Sequence, residues 1–260
     1  NPHHKKNLTI LVVGETARAA NFSLGGYPRD TNPELRKREV IYFSNASSCG
    51  TATAVSVPCM FSNLGRDHYD DSTAKHREGL LDVLKHAGVS VLWRDNNSSC
   101  KGVCNRVEYE SVANATHATL CPEDGCYDEI LLENLQTRID QLSDDGVIVL
   151  HPNGSHGPTY YQRYPAAFAR FTPACDTNQL EACTREQVVN VYDNTIVYTD
   201  HFLAKTIDLL KKNNKKFNTA MVYMSDHGES LGENNLYLHG LPYLIAPQVQ
   251  THIPLLAWLS

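Results

Sequence analysis

The run Leu8-Thr9-Ile10-Leu11-Val12-Val13, closed by Gly14-Glu15-Thr16, constrains the fold more than any other feature of the chain. It has strand length and is apolar on both faces, which suits the middle of a parallel sheet covered from both sides. Similar runs recur at 40–43, 89–93, 147–150, 220–224 and 253–258, with helical patterns at 79–86, 128–142 and 187–210 between them. Strands alternating with helices predict an α/β fold: a doubly wound, mostly parallel sheet with helices on both faces. The whole chain, 1–260, suits one such domain. The segments 96–126 and 153–183 are long and irregular, and their cysteines suit stapled, functional loops.

A content of 42% hydrophobic and 20% charged residues is that of a folded globular protein. A formal net charge of -6 excludes nucleic acid as a non-specific partner, which needs a basic footprint, but leaves room for a locally basic phosphate pocket. No apolar run reaches the roughly 20 residues that span a bilayer. The chain opens on Asn1-Pro2-His3-His4 with neither Met nor signal peptide, so it reads as a piece of a longer protein. Any membrane anchor would lie outside it, and His3 and His4 are set aside as foreign to the domain. The eight cysteines fall into near-neighbour couples: Cys49 with Cys59, Cys100 with Cys104, Cys121 with Cys126, and Cys175 with Cys183. An even count so arranged favours disulfides and an oxidising compartment such as the periplasm. A zinc site of Cys100, Cys104, Cys121 and Cys126 competes, but its spacings are looser than the usual knuckle and two couples stay unexplained.

Ligands of open α/β sheets bind beyond the carboxyl ends of the strands. Four segments bring polar side chains there: Glu15, then Asp95-Asn96-Asn97, then His151 with His156 beyond it, and finally Ser225-Asp226-His227-Gly228-Glu229. Glu15, Asp226 and His227 supply two carboxylates and an imidazole, a set that holds a catalytic zinc with one position open. Taken singly each has a plainer role, as a helix-capping carboxylate or a loop histidine, but their convergence argues for a site. The stretch Ser48-Cys49-Gly50-Thr51-Ala52-Thr53-Ala54-Val55-Ser56 opens a helix, whose free N–H groups favour an anionic phosphoryl group. Thr51, Thr53 and Ser56 all qualify there as a metal-activated nucleophile, or as a simple N-cap.

The strings Gly14-Glu15-Thr16-Ala17-Arg18, Ser48-Cys49-Gly50-Thr51-Ala52-Thr53-Ala54 and Ser225-Asp226-His227-Gly228-Glu229-Ser230-Leu231-Gly232-Glu233-Asn234 resemble the signature of the lipid A phosphoethanolamine transferases. This family includes the mobile colistin-resistance enzymes and belongs to the alkaline phosphatase superfamily. Gly154-Ser155-His156-Gly157-Pro158 and Tyr237-Leu238-His239-Gly240 resemble it too, so the likeness runs in order over nearly the whole chain. The resemblance implies an alkaline phosphatase/sulfatase-like fold and assigns the phosphoethanolamine-carrying nucleophile to Thr53. It implies zinc on Glu15, Thr53, Asp226 and His227, with one ion tightly bound and room for more. It gives His156 and His239 to a further zinc or to substrate, and places Asn97 and Lys101 around the phosphoethanolamine group, with His151 near them. Lys101, His156 and His239 are then expected to assist catalysis.

The implied reaction moves phosphoethanolamine from phosphatidylethanolamine to a lipid A phosphate through an ester on Thr53, and confers polymyxin resistance by lowering the acceptor's negative charge. It also implies a membrane domain amino-terminal to this chain, an inner-membrane location with the catalytic part facing the periplasm, and a monomer. A glycerol-phosphate transferase on the same metal core is the nearest rival. A sulfatase would need a Cys-x-Pro-x-Arg motif, which Cys59-Met60 does not supply, and a non-catalytic lipid-binding domain would not need the four site residues together. His68, His76, His86, His117, His201 and His252 read as structural. Tyr160, Tyr161 and Tyr164 suit either packing or a lipid-facing rim.

Overall fold

The computed structural model describes residues 4–260, and His3 lies outside them. In chain order the elements are β1 (Lys6–Gly14), β2 (Ile41–Ser47), α1 (Thr53–Met60), α2 (Asp71–Lys75), α3 (Leu80–His86), β3 (Ser90–Asp95) and β4 (Glu108–Ser111). They continue with α4 (Leu135–Asp140), β5 (Gly146–His151), α5 (Arg185–Lys212), β6 (Phe217–Ser225), β7 (Ser230–Leu231), β8 (Tyr237–Leu238), α6 (Gln248–Thr251) and β9 (His252–Leu259). Seven strands form one sheet in the order β2-β9-β6-β1-β5-β3-β4, and β7 and β8 form a separate hairpin. The pairs from β6 to β4 are parallel; β9 and β2 close the other side antiparallel. The sheet is thus mostly parallel, as the alternating pattern predicts.

The central strands divide their side chains between two cores. Leu8, Ile10, Val12, Ile148 and Leu150 pack on one face with α5 residues such as Val191, Ile196, Phe202 and Ile207. Val13, Val147, Val149 and Trp93 pack on the other with Val57 of α1 and Leu81 of α3. The two-residue period of a strand requires this split once both faces are covered. Each fully buried Leu, Ile or Val contributes about 1.5–3 kcal/mol over its exposed state. β2 lies at a sheet edge and is largely exposed.

Three local features depart from the sequence reading. The expected helix over 128–142 is a 3-10 turn (Asp128–Leu132) followed by α4, separated at Asn134, whose φ of +57° lies in the left-handed region. Asp128 is held there by accepting the N–H groups of Asn153 and Gly154, a contact no local pattern encodes. The irregular 96–126 segment contains β4, which pairs with β3 at the sheet edge. Finally, α5 extends past the expected 187–210, because Thr184 and Gln187 form a capping box at its start.

All four cysteine couples form the expected disulfides, so Cys100, Cys104, Cys121 and Cys126 are not a zinc site. Among the described residues no helix is long and apolar enough to cross a membrane.

Candidate active site

Parallel register brings the site together. Gly14 is paired with Ser225, so the next residues, Glu15 and Asp226, leave neighbouring strands at the same level. Asp95 is likewise paired with His151 at the ends of β3 and β5. Glu15, Asp226 and His227 converge so that one ligand atom from each lies within 4.8 Å of the others, and all three are shut from solvent.

Thr53 is the first residue of α1 and points into this group. Its hydroxyl donates to Asp226 Oδ2 at 2.6 Å and lies 3.1 and 3.0 Å from the two Glu15 oxygens and 3.5 Å from His227 Nε2. The two competing hydroxyls are used elsewhere. Thr51 donates to the Leu241 carbonyl and Ser56 to that of Asp226. The Cys49–Cys59 disulfide ties the loop before α1 to the helix itself.

The charge balance of the group fits a cation. His227 Nδ1 donates to the Gly228 carbonyl, which can only accept, so its Nε2 faces Glu15 Oε1 at 3.2 Å and Asp226 Oδ1 at 3.5 Å. Two buried carboxylates beside a bare ring nitrogen need positive charge among them, either a proton on Nε2 or a metal ion. Burial alone would push the His227 imidazolium down, but the charge of Asp226 and the hydrogen bond and charge of Glu15 outweigh it and hold the ring up at about 10. Burial would also raise Glu15, yet the hydrogen bond and charge of His227 keep it far below the ordinary range. Asp226, buried and beside Glu15, is pushed up. Glu15, Asp226, His227 and Thr53 therefore suit a divalent ion such as zinc by chemistry and by charge.

A supporting layer fixes these groups. Asp226 Oδ1 accepts the N–H groups of Thr16 and His227, and Glu15 accepts the Thr16 hydroxyl and the Asn97 amide. Thr16 itself sits at φ +58°, a costly conformation for a β-branched residue. Tyr192 of α5 holds it there by donating to the Thr16 carbonyl at 2.6 Å while accepting the Arg18 N–H at 2.9 Å. Gly154, at φ +54°, packs so tightly on the Glu15 backbone that a Cβ would clash, and Ser155 N–H donates to the Glu15 carbonyl.

The other expected residues take varied positions. His239 stacks its ring centroid 3.9 Å from that of His227, and its Nδ1 bonds Glu229, whose second oxygen accepts from Tyr160. His156 is partly buried; burial lowers its pKa, opposed by the charge of Glu15, with Arg163, His239 and Glu229 also nearby. Asn97 contacts the site through Glu15. His151 is fully buried against Trp93 and bonds Asp95, so it is not placed to touch a substrate as expected. Asp95 in turn accepts the Asn97 N–H, so this pair bears on the site from behind. Lys101 bonds Ser98 rather than the Thr53 group. Tyr160 and Tyr164 are packing residues, and Tyr161 is partly exposed. His86, His201 and His252 have structural partners in Glu78, Glu129 and the Ser44 carbonyl. Sequence reasoning placed Glu229 at the site within its motif but gave it no role, and it missed Tyr192 and Arg163, for which no motif carried a signal.

The chain matches the sulfatase family over residues 7–260. It is 59% identical over 256 residues to phosphoethanolamine transferase EptA of Salmonella typhimurium, covering 98% of this chain and 47% of that protein. The soluble domain of lipooligosaccharide phosphoethanolamine transferase A from Neisseria meningitidis superposes with a TM-score of 0.96 at 48% identity, over 99% of this chain and 78% of that one. The chain belongs to the phosphoethanolamine transferase branch of the sulfatase family. Members of this branch are enzymes. The zinc complex of the C-terminal periplasmic domain of EcEptC from Escherichia coli matches with a TM-score of 0.78 at 24% identity, over 99% of this chain and 73% of that one, a likeness of fold. The chain spans about half the length of the curated phosphoethanolamine transferase it matches.

Proposed function

We propose that this chain catalyses phosphoethanolamine transfer from phosphatidylethanolamine to a phosphate of lipid A, with Thr53 as the covalent carrier. The observation that carries the reading is the Thr53 hydroxyl, set at the first turn of α1 and bonded into a buried set of two carboxylates and a histidine. The relatives' names supply the group transferred and, for the Neisseria protein, a lipooligosaccharide acceptor. A zinc ion held by Glu15, Thr53, Asp226 and His227 would make the hydroxyl more acidic and polarise the phosphoryl group.

The chain's own residues supply the rest. The Thr53 oxygen attacks phosphorus, its proton having a path to Asp226 Oδ2 at 2.6 Å. The bond from phosphorus to the diacylglycerol oxygen breaks, and that oxygen takes up a proton. Val55 and Ser56 donate their amides to the Ala52 carbonyl, so it is the amides of Thr53 and Ala54 at the start of α1 that suit the phosphoryl oxygens. His239, steadied by Glu229, and His156 are the groups for proton transfer to the leaving oxygen. Lys101, on its loop stapled by Cys100–Cys104, would swing from Ser98 to neutralise phosphate charge. A lipid A phosphate oxygen then attacks the same phosphorus, the Thr53 ester breaks, and the threonine regains its proton. We further propose that the chain works as a monomer on the periplasmic side of the inner membrane, joined to a membrane domain, and that its product resists polymyxin. The test is lipid A mass in cells carrying the longer protein. Wild type should add phosphoethanolamine and Thr53→Ala should add none; modification by the alanine variant would overturn the covalent route.

A further inference from the structure

Leu244 is 96% exposed, more than any other large apolar side chain among the described residues, and its neighbour Ile245 is 71% exposed. Single exposed apolar residues are ordinary on a protein surface, so the setting of this pair decides what it means. The two form the tip of a turn bounded by Pro242 and Pro247, which Ile245 and Ala246 close by donating their amides to the Pro242 carbonyl at 3.0 Å each. Two prolines and two backbone bonds leave the turn little freedom to fold its tip back onto the domain.

The turn is fastened to the loop that carries the nucleophile. The Leu241 carbonyl accepts the Thr51 hydroxyl at 2.6 Å, and the Tyr243 hydroxyl donates to the Ser48 carbonyl at 2.9 Å. Between those anchors Val55, half-exposed on the first turn of α1, lies over Gly50. On its other side the turn begins two residues after His239, whose ring stacks on His227. Leu244, Ile245 and Val55 thus stand at the rim of the Thr53 group. The charge of this segment also sets it apart: a chain of net charge -6 has no Asp, Glu, Lys or Arg from residue 234 to 260. The cation packed on the turn is Arg66, whose guanidinium lies 4.2 Å from the Tyr243 ring centroid, stays partly exposed and also meets Asp67. Apolar tips flanked by Tyr and Arg suit the boundary between acyl chains and head groups. The amides of Ile245 and Ala246 are spent within the turn and the prolines have none, so little polar backbone would be stranded in hydrocarbon.

We propose that the 241–247 turn dips Leu244 and Ile245 into the head-group boundary of a lipid bilayer and so holds the mouth of the Thr53 group against the membrane surface. The inference rests on the transferase reading, in which both substrates are lipids. Leu244→Trp puts a reporter on the exposed tip, read against the buried Trp93 and Trp258. With vesicles of phosphatidylethanolamine and phosphatidylglycerol its emission should shift to the blue and be quenched by brominated acyl chains. Both effects should persist in about 1 M salt, where charges are screened beyond about 3 Å. Leu244→Ser combined with Ile245→Ser should weaken co-sedimentation with the vesicles about tenfold or more. The same variant should lose phosphoethanolamine transfer from vesicle lipid to Thr53 to a similar degree, while adduct formation from a water-soluble phosphoethanolamine ester stays at the wild-type rate. A tryptophan that remains in water on vesicles would overturn the proposal, and one shielded only in the longer, detergent-solubilised protein would give the turn to a protein contact instead. The transferase reading fails separately, by absence of a Thr53 adduct in wild type with either donor.

Discussion

Thr16 shows how single residues far apart in sequence hold the site. Its left-handed backbone aims one N–H at Asp226 and its hydroxyl at Glu15, and the buried Tyr192 hydroxyl, 176 residues away, keeps it there. Tyr192→Phe strands the Thr16 carbonyl and the Arg18 N–H in the interior, which should cost about 1–3 kcal/mol of stability. With Thr16 freed, zinc affinity should fall about tenfold or more, as when an outer partner of a ligand is lost. Urea unfolding and chelator competition read the two effects; a variant as stable and as tight as wild type would contradict this role. Glu15, Thr53, Asp226 and His227 were legible because each sits at a strand end or helix start and carries its chemistry in its own type. Tyr192, Arg163 and the role of Glu229 were not, because they depend on partners brought close only by the fold. His151 was misplaced for a related reason: its position after a strand suggested a substrate contact, while its pairing with Asp95 is set across the sheet.

At the scale of elements, the strands were legible because apolar runs covered on two faces have few other solutions. The 128–142 helix was not, since Asp128 answers to the amides of Asn153 and Gly154 instead of to helical spacing. α5 carries another buried acid, Asp200, which accepts the N–H groups of Glu34 and Leu35 at 3.0 and 2.9 Å. Burial, partly opposed by these amides, pushes its carboxyl up to about 7. Its unfolded pKa is about 3.9, so between about pH 4 and 7 the folded state keeps a proton that the unfolded state gives up. The group therefore costs stability as pH rises through that window, on the order of 4 kcal/mol by its upper end. Asp200→Asn keeps an acceptor for one amide and cannot ionise. Compared by urea unfolding at pH 5 and pH 7.5, the variant should gain on wild type at the higher pH. A difference independent of pH would show that Asp200 titrates as an ordinary carboxylate.

At the scale of the molecule, the parallel register of β1, β5, β3 and β6 is what turns distant motifs into one centre, and the loop closed by Cys121–Cys126 walls a polar cleft beside Asn97 and His156. The same sheet edge thus offers a metal-binding set, a hydroxyl at a helix start and a polar cleft in sequence. The proposed carrier of the transferred group in this centre is Thr53. Peptide-resolved mass spectrometry of the zinc-loaded chain, after incubation with a phosphatidylethanolamine analogue and no acceptor, tests it most directly. One phosphoethanolamine is expected, on the peptide that contains Thr53 and on that residue. An adduct on a different side chain, or diacylglycerol and free phosphoethanolamine released at the wild-type rate by Thr53→Ala, would contradict it.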